Sequence, residues 1–259
     1  MFSQILKTLG VVVFLFFNTT GYSEKAIWSD GTAFTLPKGR FEFGIFQPLR
    51  YGLTDKTEIS SFPLWNILIP NITIKKVWDD PCCYYFATQH SFNYPTPLLK
   101  FISNRPEDIF PDFTTVPELF VFSNHLIFSK YLEENHLVTT KFGVNIAINK
   151  GNVNMPAIDL PVVFPRTNIY QNGLSFNLGI DFDGLISKKY YYLFDMDFFI
   201  LSDIQSSYAF ENKGLIIWKR NDHFSILLGY AFTYGEYPSG TGINILPLID
   251  LQWGRNCGK

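Results

Sequence analysis

Hydrophobic and polar residues alternate with a period of two in several segments of the chain. Residues 174–183 read LSFNLGIDFD, in which a large apolar residue takes every second position, and residues 138–148 and 224–234 repeat the pattern. A period of two places the two sets of side chains on opposite faces of a β-strand. The chain is therefore predicted to be rich in strands that have one apolar face and one polar or small-residue face.

The alternation and the turn residues between the alternating segments divide the chain into about twelve predicted strands. Ten strands remain possible, because the segments at 26–35 and 57–78 alternate poorly. The predicted strands lie near residues 26–35, 40–50, 57–64, 71–78, 83–92, 117–129, 137–148, 173–183, 190–200, 208–219, 223–234 and 243–253.

The connections between the predicted strands alternate in length. Links after the second, fourth, sixth, eighth and tenth strands are short and polar, whereas the other set includes the long links 93–116 and 149–172. Outer-membrane barrels have short periplasmic turns, longer external loops and an even number of strands. The pattern predicts an all-β fold, a transmembrane antiparallel up-and-down β-barrel with its apolar face toward lipid.

The beginning of the chain has the pattern of an export signal. Lys7 precedes the apolar run LGVVVFLFF, and small and polar residues follow as far as Ser23. The run is shorter than the roughly 20 residues of a membrane-spanning helix, and its flanks are those of a secretory signal peptide. We predict a signal peptide over residues 1–23 and a barrel domain over residues 24–259. The expected location is the outer membrane of a Gram-negative bacterium.

Composition agrees with this interpretation and limits the classes of partner that we expect. Aromatic residues make up 18% of the chain, with 27 Phe and 14 Tyr, which suits strands and the aromatic girdles at bilayer interfaces. A net charge of −2 gives no argument for nucleic-acid binding. The expected partners are outer-membrane lipid, the barrel assembly machinery and small solutes, and a monomer is favoured.

Four acidic residues share the polar face of two neighbouring predicted strands, and that face points into the lumen of the predicted barrel. They are Asp181, Asp183, Asp195 and Asp197. One interpretation is an ordinary polar interior in which these acids pair with a lumenal cation such as Lys141. The other is a constriction that favours cations, since acidic rings select cations in pores. Both interpretations stay open at the level of the sequence.

The sequence offers no convincing catalytic set, cofactor site or metal site, and we predict that the protein is not an enzyme. Ser123 and His125 share one face of a predicted strand while Asn124 faces the other way, and the motif of barrel phospholipases is absent. The paired acids lack a recognisable glycosidase cleft. The remaining histidines are scattered along the chain, which argues against a metal site.

The three cysteines are Cys82, Cys83 and Cys257. An exported chain meets an oxidising compartment, but an odd number of cysteines leaves one thiol over. Free thiols without a function are one interpretation. A disulfide between Cys257 and either Cys82 or Cys83 is the alternative, because the predicted topology places all three at the periplasmic end.

The segment from Thr32 to Ser60 contains the pieces TLPKG, FEFG and YGLTDKTEI. It resembles the opening of transporter-like outer-membrane barrel proteins, including those grouped with the phenol-degradation meta-pathway. In those proteins a Gly-Leu-Thr-Asp turn joins an early hairpin. The resemblance implies the barrel class and carries over no catalytic residue.

Taken together, these patterns predict a passive channel or transporter for small solutes. An alternative keeps the barrel but fills its interior with side chains, giving a non-conducting structural or surface-binding protein. A further alternative is a soluble secreted β-protein, in which the apolar faces would point inward around a core or a ligand cavity.

Overall fold

The computed structural model describes residues 31–63, 65–78, 84–103, 116–133, 135–150, 158, 160, 162–202 and 207–256. The predicted signal peptide over residues 1–23 lies outside this part of the chain. Cys82, Cys83 and Cys257, the residues of the predicted disulfide, lie outside it as well.

The described residues form twelve strands and three short helices. Among them, no helix is both long and apolar enough to cross a bilayer. The strands are β1 (Arg40–Gly44), β2 (Leu49–Thr54), β3 (Thr57–Ser61), β4 (Asn71–Trp78), β5 (Tyr85–Asn93), β6 (Glu118–Glu133), β7 (His136–Lys150), β8 (Leu174–Ser187), β9 (Tyr190–Leu201), β10 (Tyr208–Asn221), β11 (Phe224–Tyr237) and β12 (Gly240–Asn256). The helices are α1 (Thr96–Ser103), α2 (Phe164–Thr167) and α3 (Ile169–Asn172).

The strands close into a single antiparallel barrel. Each strand pairs with the next along the chain, and β1 pairs with β12 to complete the ring. The closing contact is short, since β1 and β12 pair only from Arg40↔Asn256 to Gly44↔Gln252. The predicted all-β fold with twelve strands is confirmed.

The first predicted strand is wrong over its described part. Residues 31–35 belong to no strand; Ala33 and Leu36 are instead buried inside the barrel. The predicted strand at 40–50 is two strands, β1 and β2. Pro48 has no N–H for a ladder, and Asp250 Oδ1 accepts hydrogen bonds from the backbone N–H groups of Ile45 and Phe46 at 2.9 and 3.1 Å, so the chain turns there.

Short and long links lie at opposite ends of the barrel, as the sequence predicts. The turns after β2, β6, β8 and β10 are two residues long, and we call this the short-turn end. The link between β5 and β6 and the link between β7 and β8 are the longest, and both lie at the opposite, long-link end. The link between β11 and β12 is shorter than expected, because both strands extend into the predicted link 235–242 and leave only residues 238–239 as a turn.

The barrel is apolar on its outside and polar on its inside. On β8, Phe176 and Leu178 are 40% and 41% exposed, whereas Ser175 and Asn177, which alternate with them, are buried. Aromatic pairs lie on the outer surface near both ends, for example Phe43 with Trp253 and Phe198 with Tyr208. This arrangement is the reverse of the soluble alternative, in which the apolar faces would point inward.

The wall of the barrel has uneven height. β1, β2 and β3 contain five or six residues and β4 and β5 contain eight or nine, whereas β6 to β12 contain 12 to 17. We call β1 to β5 the low wall. Above it, at the long-link end, lies the link between β3 and β4, in which Trp65 is 53% and Ile67 84% exposed.

Candidate functional site

The inside of the barrel carries a cluster of charges on three neighbouring strands. Lys141 on β7 lies 2.8 Å from Asp181 on β8, and 3.2 and 3.6 Å from Asp195 and Asp197 on β9 (Nζ to Oδ1 in each case). All four side chains are largely buried. Three carboxylates thus share one ammonium group, and we call this the Lys141 cluster.

Strand register and one glycine explain why the Lys141 cluster forms. Lys141 lies opposite Gly179, which in turn lies opposite Asp197. A Cβ atom on Gly179 would come within 2.5 Å of Asp197 Oδ1 and 2.7 Å of Lys141 Cε. The missing side chain therefore lets the lysine and the carboxylate approach across β8.

The charges continue onto β10 and onto α2. Lys213 Nζ lies 3.5 Å from Asp195 Oδ2 and 2.7 Å from Glu211 Oε1. Arg166 of α2 donates to both oxygens of the buried Glu211, at 2.7 and 2.8 Å. Burial lowers the pKa of the Arg166 guanidinium, but the paired carboxylate of Glu211 outweighs burial and raises it above its usual value, so Arg166 stays charged.

Of the residues that the sequence singled out, the structure brings Lys141, Asp181, Asp195 and Asp197 together. Asp183 is also buried, but it lies two positions nearer the short-turn end, opposite Leu137 and Leu193. Sequence reasoning missed Glu211 and Lys213, although both share the inward parity of β10. It also missed Arg166, whose link has no periodic pattern that could have indicated its position.

A second group of charges lies near the short-turn end, on β1 to β4. Arg40 pairs with Glu42 at 2.6 Å, and Arg50 pairs with Glu58 at 2.8 Å and with Glu42 at 3.6 Å. Lys75 Nζ lies 3.8 Å from Glu58. We call these five residues the Glu58 network; none of their side chains is more than 5% exposed.

Residues 31–39 run inside the barrel and occupy its short-turn end. Glu58 accepts a hydrogen bond from the Leu36 backbone N–H at 2.8 Å, and Ser129 Oγ accepts one from the Ala33 N–H at 2.9 Å. A Cβ atom on Gly52 would come within 2.2 Å of the Pro37 carbonyl oxygen, so this segment lies directly against the wall. Gly31 reaches the Lys141 cluster beside Asp181.

Helices α2 and α3 cover the inside of the barrel from the long-link end. Phe164 is fully buried and packs with Phe199, Leu201 and Tyr237. Ile169 and Tyr170 of α3 pack with Leu99 of α1 and with β6. Burial raises the pKa of Tyr170 to about 12, so its hydroxyl stays protonated.

Between these two obstructions lies a cavity of about 440 Å³. Its wall includes Lys141, Arg166 and Asp197, together with neutral polar side chains and the apolar residues Ile169 and Phe199. Three buried atoms on its lining side chains have no hydrogen-bond partner in the described structure: His125 Nδ1, Asn177 Oδ1 and Asp197 Oδ1. The Asp197 atom still lies 3.6 Å from Lys141 Nζ, and the side chains of His125 and Asn177 interact with each other.

Ser123 and His125 both line this cavity, but Asn124 lies on the outer surface. Asn124 Oδ1 lies 2.7 Å from His90 Nδ1, also on the outer surface, and is thus turned away from Ser123. Within the described ranges, no group of three or more His, Cys, Asp or Glu residues is placed to hold a metal ion.

No family model matches the sequence, and no curated protein matches it. The resemblance to the phenol-degradation meta-pathway group thus has no support from either comparison. Among solved structures, the barrel resembles the outer membrane channel DcaP of Acinetobacter baumannii, with a TM-score of 0.38 and 8% identity. The match covers 91% of this chain and 67% of that chain. A likeness of this size leaves the function of the present chain open.

Proposed function

We propose that the protein is an outer-membrane β-barrel that passes small polar solutes, and that the described arrangement is its closed state. The observation that carries the proposal is a polar lumen that retains a cavity of about 440 Å³ inside a barrel with an apolar outer surface. An apolar outer band with aromatic residues near both ends is the surface that a bilayer requires of a spanning barrel.

The obstructions are held to the wall by a small number of polar contacts. On the long-link side, the ion pair between Arg166 and Glu211 ties α2 to the wall at the cavity. On the short-turn side, the segment 31–39 is tied by hydrogen bonds to Glu58 and Ser129. Apolar packing adds to these contacts, because Phe164 packs with Phe199, Leu201 and Tyr237 and Ala33 packs with Ala87 and Ile127. Opening requires the loss of the polar contacts and of this packing, but no rearrangement of the strands.

The balance of charge around the cavity supports a preference for cations. Four described carboxylates face three described cations there, which leaves one excess negative charge when all of them are ionised. The carboxylates are Asp181, Asp195, Asp197 and Glu211, and the cations are Lys141, Lys213 and Arg166. Negative charge along a pore attracts cations and repels anions.

Conductance in planar bilayers tests the channel. We expect rare openings for the wild type and frequent openings for Arg166→Ala, because that substitution removes the ion pair that holds α2. Lys100→Ala is the matched control, since Lys100 makes an exposed ion pair with Glu118 on α1 and β6, and its openings should match the wild type. Under a salt gradient the open state should favour cations, and Asp197→Asn should weaken that preference.

A non-conducting barrel that binds or displays a ligand is the second candidate. The observation that favours it is the occupation of both ends of the lumen by fully buried groups such as Ala33 and Phe164. If wild type and Arg166→Ala both insert as heat-modifiable barrels and neither conducts, this second candidate replaces the channel.

A further inference from the structure

The outer surface of β5 and β6 carries an exposed polar pair, with Lys76 and Thr88 one step nearer the short-turn end on the same face. His90 on β5 and Asn124 on β6 are directly opposite each other, and His90 Nδ1 lies 2.7 Å from Asn124 Oδ1. Their neighbours across the adjacent strands are Ile74 and Val144, both exposed and apolar. Along β6, the flanking outward residues are Phe122 and Leu126.

Lipid does not satisfy the remaining hydrogen-bonding groups of this pair. An amide oxygen only accepts, so His90 donates from Nδ1 and its Nε2 atom is left as an acceptor, while Asn124 keeps a free amide donor. Within the described residues, neither His90 Nε2 nor the Asn124 amide donor has a hydrogen-bond partner. Polar groups left unpaired in hydrocarbon are unfavourable, so this pair indicates that the surface is covered by something other than lipid chains.

The outer surface has a further polar residue whose hydrogen bonds are satisfied by neighbouring groups of the same chain. Asn212 on β10 also lies at an outward position, but it is only 7% exposed. Its amide donates to the Asp195 carbonyl oxygen at 2.9 Å, and its Oδ1 accepts from the Tyr230 hydroxyl at 3.0 Å. His90 and Asn124 lack a covering side chain of this kind.

The free donor of this pair matches the free acceptor of the same pair on a second copy of the chain. One copy offers an amide donor at Asn124 and an acceptor at His90 Nε2, and a second copy in the same membrane offers the same two groups at the same depth. A two-fold axis along the membrane normal lets each amide donate to the other copy's imidazole, which gives two equivalent hydrogen bonds.

The height of the wall favours the same surface. β4 and β5 belong to the low wall. β4, with eight residues, falls just short of the about 9–11 residues that a tilted barrel strand uses to cross a bilayer, and β5, with nine, is at the lower limit. Above them the link between β3 and β4 exposes Trp65 and Ile67. Covering a short wall by association relieves the mismatch with bilayer thickness.

We propose that the outer face of β4, β5 and β6, centred on His90 and Asn124, is the surface on which a second copy of this chain binds. The proposal rests on the membrane location given under the proposed function, and it replaces the expected monomer with a two-fold dimer. It does not require that the barrel conduct.

Cross-linking of the full chain in vesicles of phosphatidylethanolamine and phosphatidylglycerol tests it. In a background in which the three native cysteines are serine, Leu126→Cys places a thiol beside Asn124. Leu178→Cys is the matched control, an outward leucine of similar exposure on β8, 41% against 47%. Mild oxidation should give a dimer for Leu126→Cys and little for Leu178→Cys.

Adding Asn124→Leu to the Leu126→Cys chain tests the polar pair itself. The association constant, measured from the dependence of cross-linking on the protein-to-lipid ratio, should fall by about thirtyfold, the factor expected for two hydrogen bonds of ordinary net strength. The folded barrel should become no less stable, because leucine suits a lipid-facing position. Equal cross-linking at both cysteine positions, no dimer at Leu126→Cys, or a dimer that survives Asn124→Leu would overturn the proposal.

Heat-modifiability of each variant separates this failure from failure of the proposed function. Chains that insert but stay monomeric refute the dimer alone, whereas chains that do not insert refute the membrane location and the dimer with it.

Discussion

Replacing Lys141 by methionine should destabilise the barrel more than replacing any exposed charged residue. Methionine keeps the length of the side chain but removes the ammonium group that Asp181, Asp195 and Asp197 share at 2.8, 3.2 and 3.6 Å. Removing one partner of a buried ion pair costs about 3–5 kcal/mol, because it leaves buried charge without compensation. Lys213 still lies 3.5 Å from Asp195, so we expect the lower end of that range.

The measurement is urea unfolding of the refolded barrel in vesicles, followed by tryptophan fluorescence. Lys100→Met is the control, because the side chains of Lys100 and its partner Glu118 are 53% and 40% exposed. An exposed pair contributes about 0.2–1 kcal/mol, so the two variants should differ several-fold in their loss of unfolding free energy.

A double variant identifies the cause of the loss. Asp181→Asn removes one of the uncompensated charges, so Lys141→Met with Asp181→Asn should recover about 1 kcal/mol or more relative to Lys141→Met alone. Equal losses for Lys141→Met and Lys100→Met would refute the reasoning. An additive loss in the double variant would refute it as well, since it would mean that the two residues are not coupled.

Two further substitutions are expected to act through packing, and both are measured by the same unfolding assay. Gly179→Ala should destabilise the barrel, because its Cβ would meet Asp197 Oδ1 at 2.5 Å, whereas Gly242→Ala, with no atom nearer than 3.7 Å, should change little. Phe164→Ala should lower the unfolding free energy by about 3–5 kcal/mol, while Val163→Ala, 38% exposed, should lower it far less; similar losses for the two would contradict the packing of α2.

Two strands lie where the sequence places them. β8, whose residues alternate clearly, begins within one residue of the predicted start, and β4 has the predicted bounds, 71–78, although that segment alternates poorly. Residues 31–35 alternate poorly, and the barrel encloses them instead of pairing them in its wall. Their position depends on closure by β12, which a local pattern does not contain.

The candidate site also contains residues that the sequence predicts and one that it does not. Period-two parity places Asp181, Asp195 and Asp197 on one face, and the register of consecutive hairpins is enough to bring them near Lys141. Arg166 could not be found by parity, because it lies on a four-residue helix in a long link. Its approach to Glu211 follows from the packing of Phe164 inside the finished barrel.

The short contact between β1 and β12 has a consequence for the order of assembly. The Arg40 guanidinium donates to the Asn256 side chain across a separation of 216 residues, so β1 has no partner on that side until the last strand is in place. Contacts of such long range form slowly and late. Residues 31–39 immediately precede β1 and lie within the ring. They are therefore enclosed on all sides only once β12 has paired with β1 and the ring is complete.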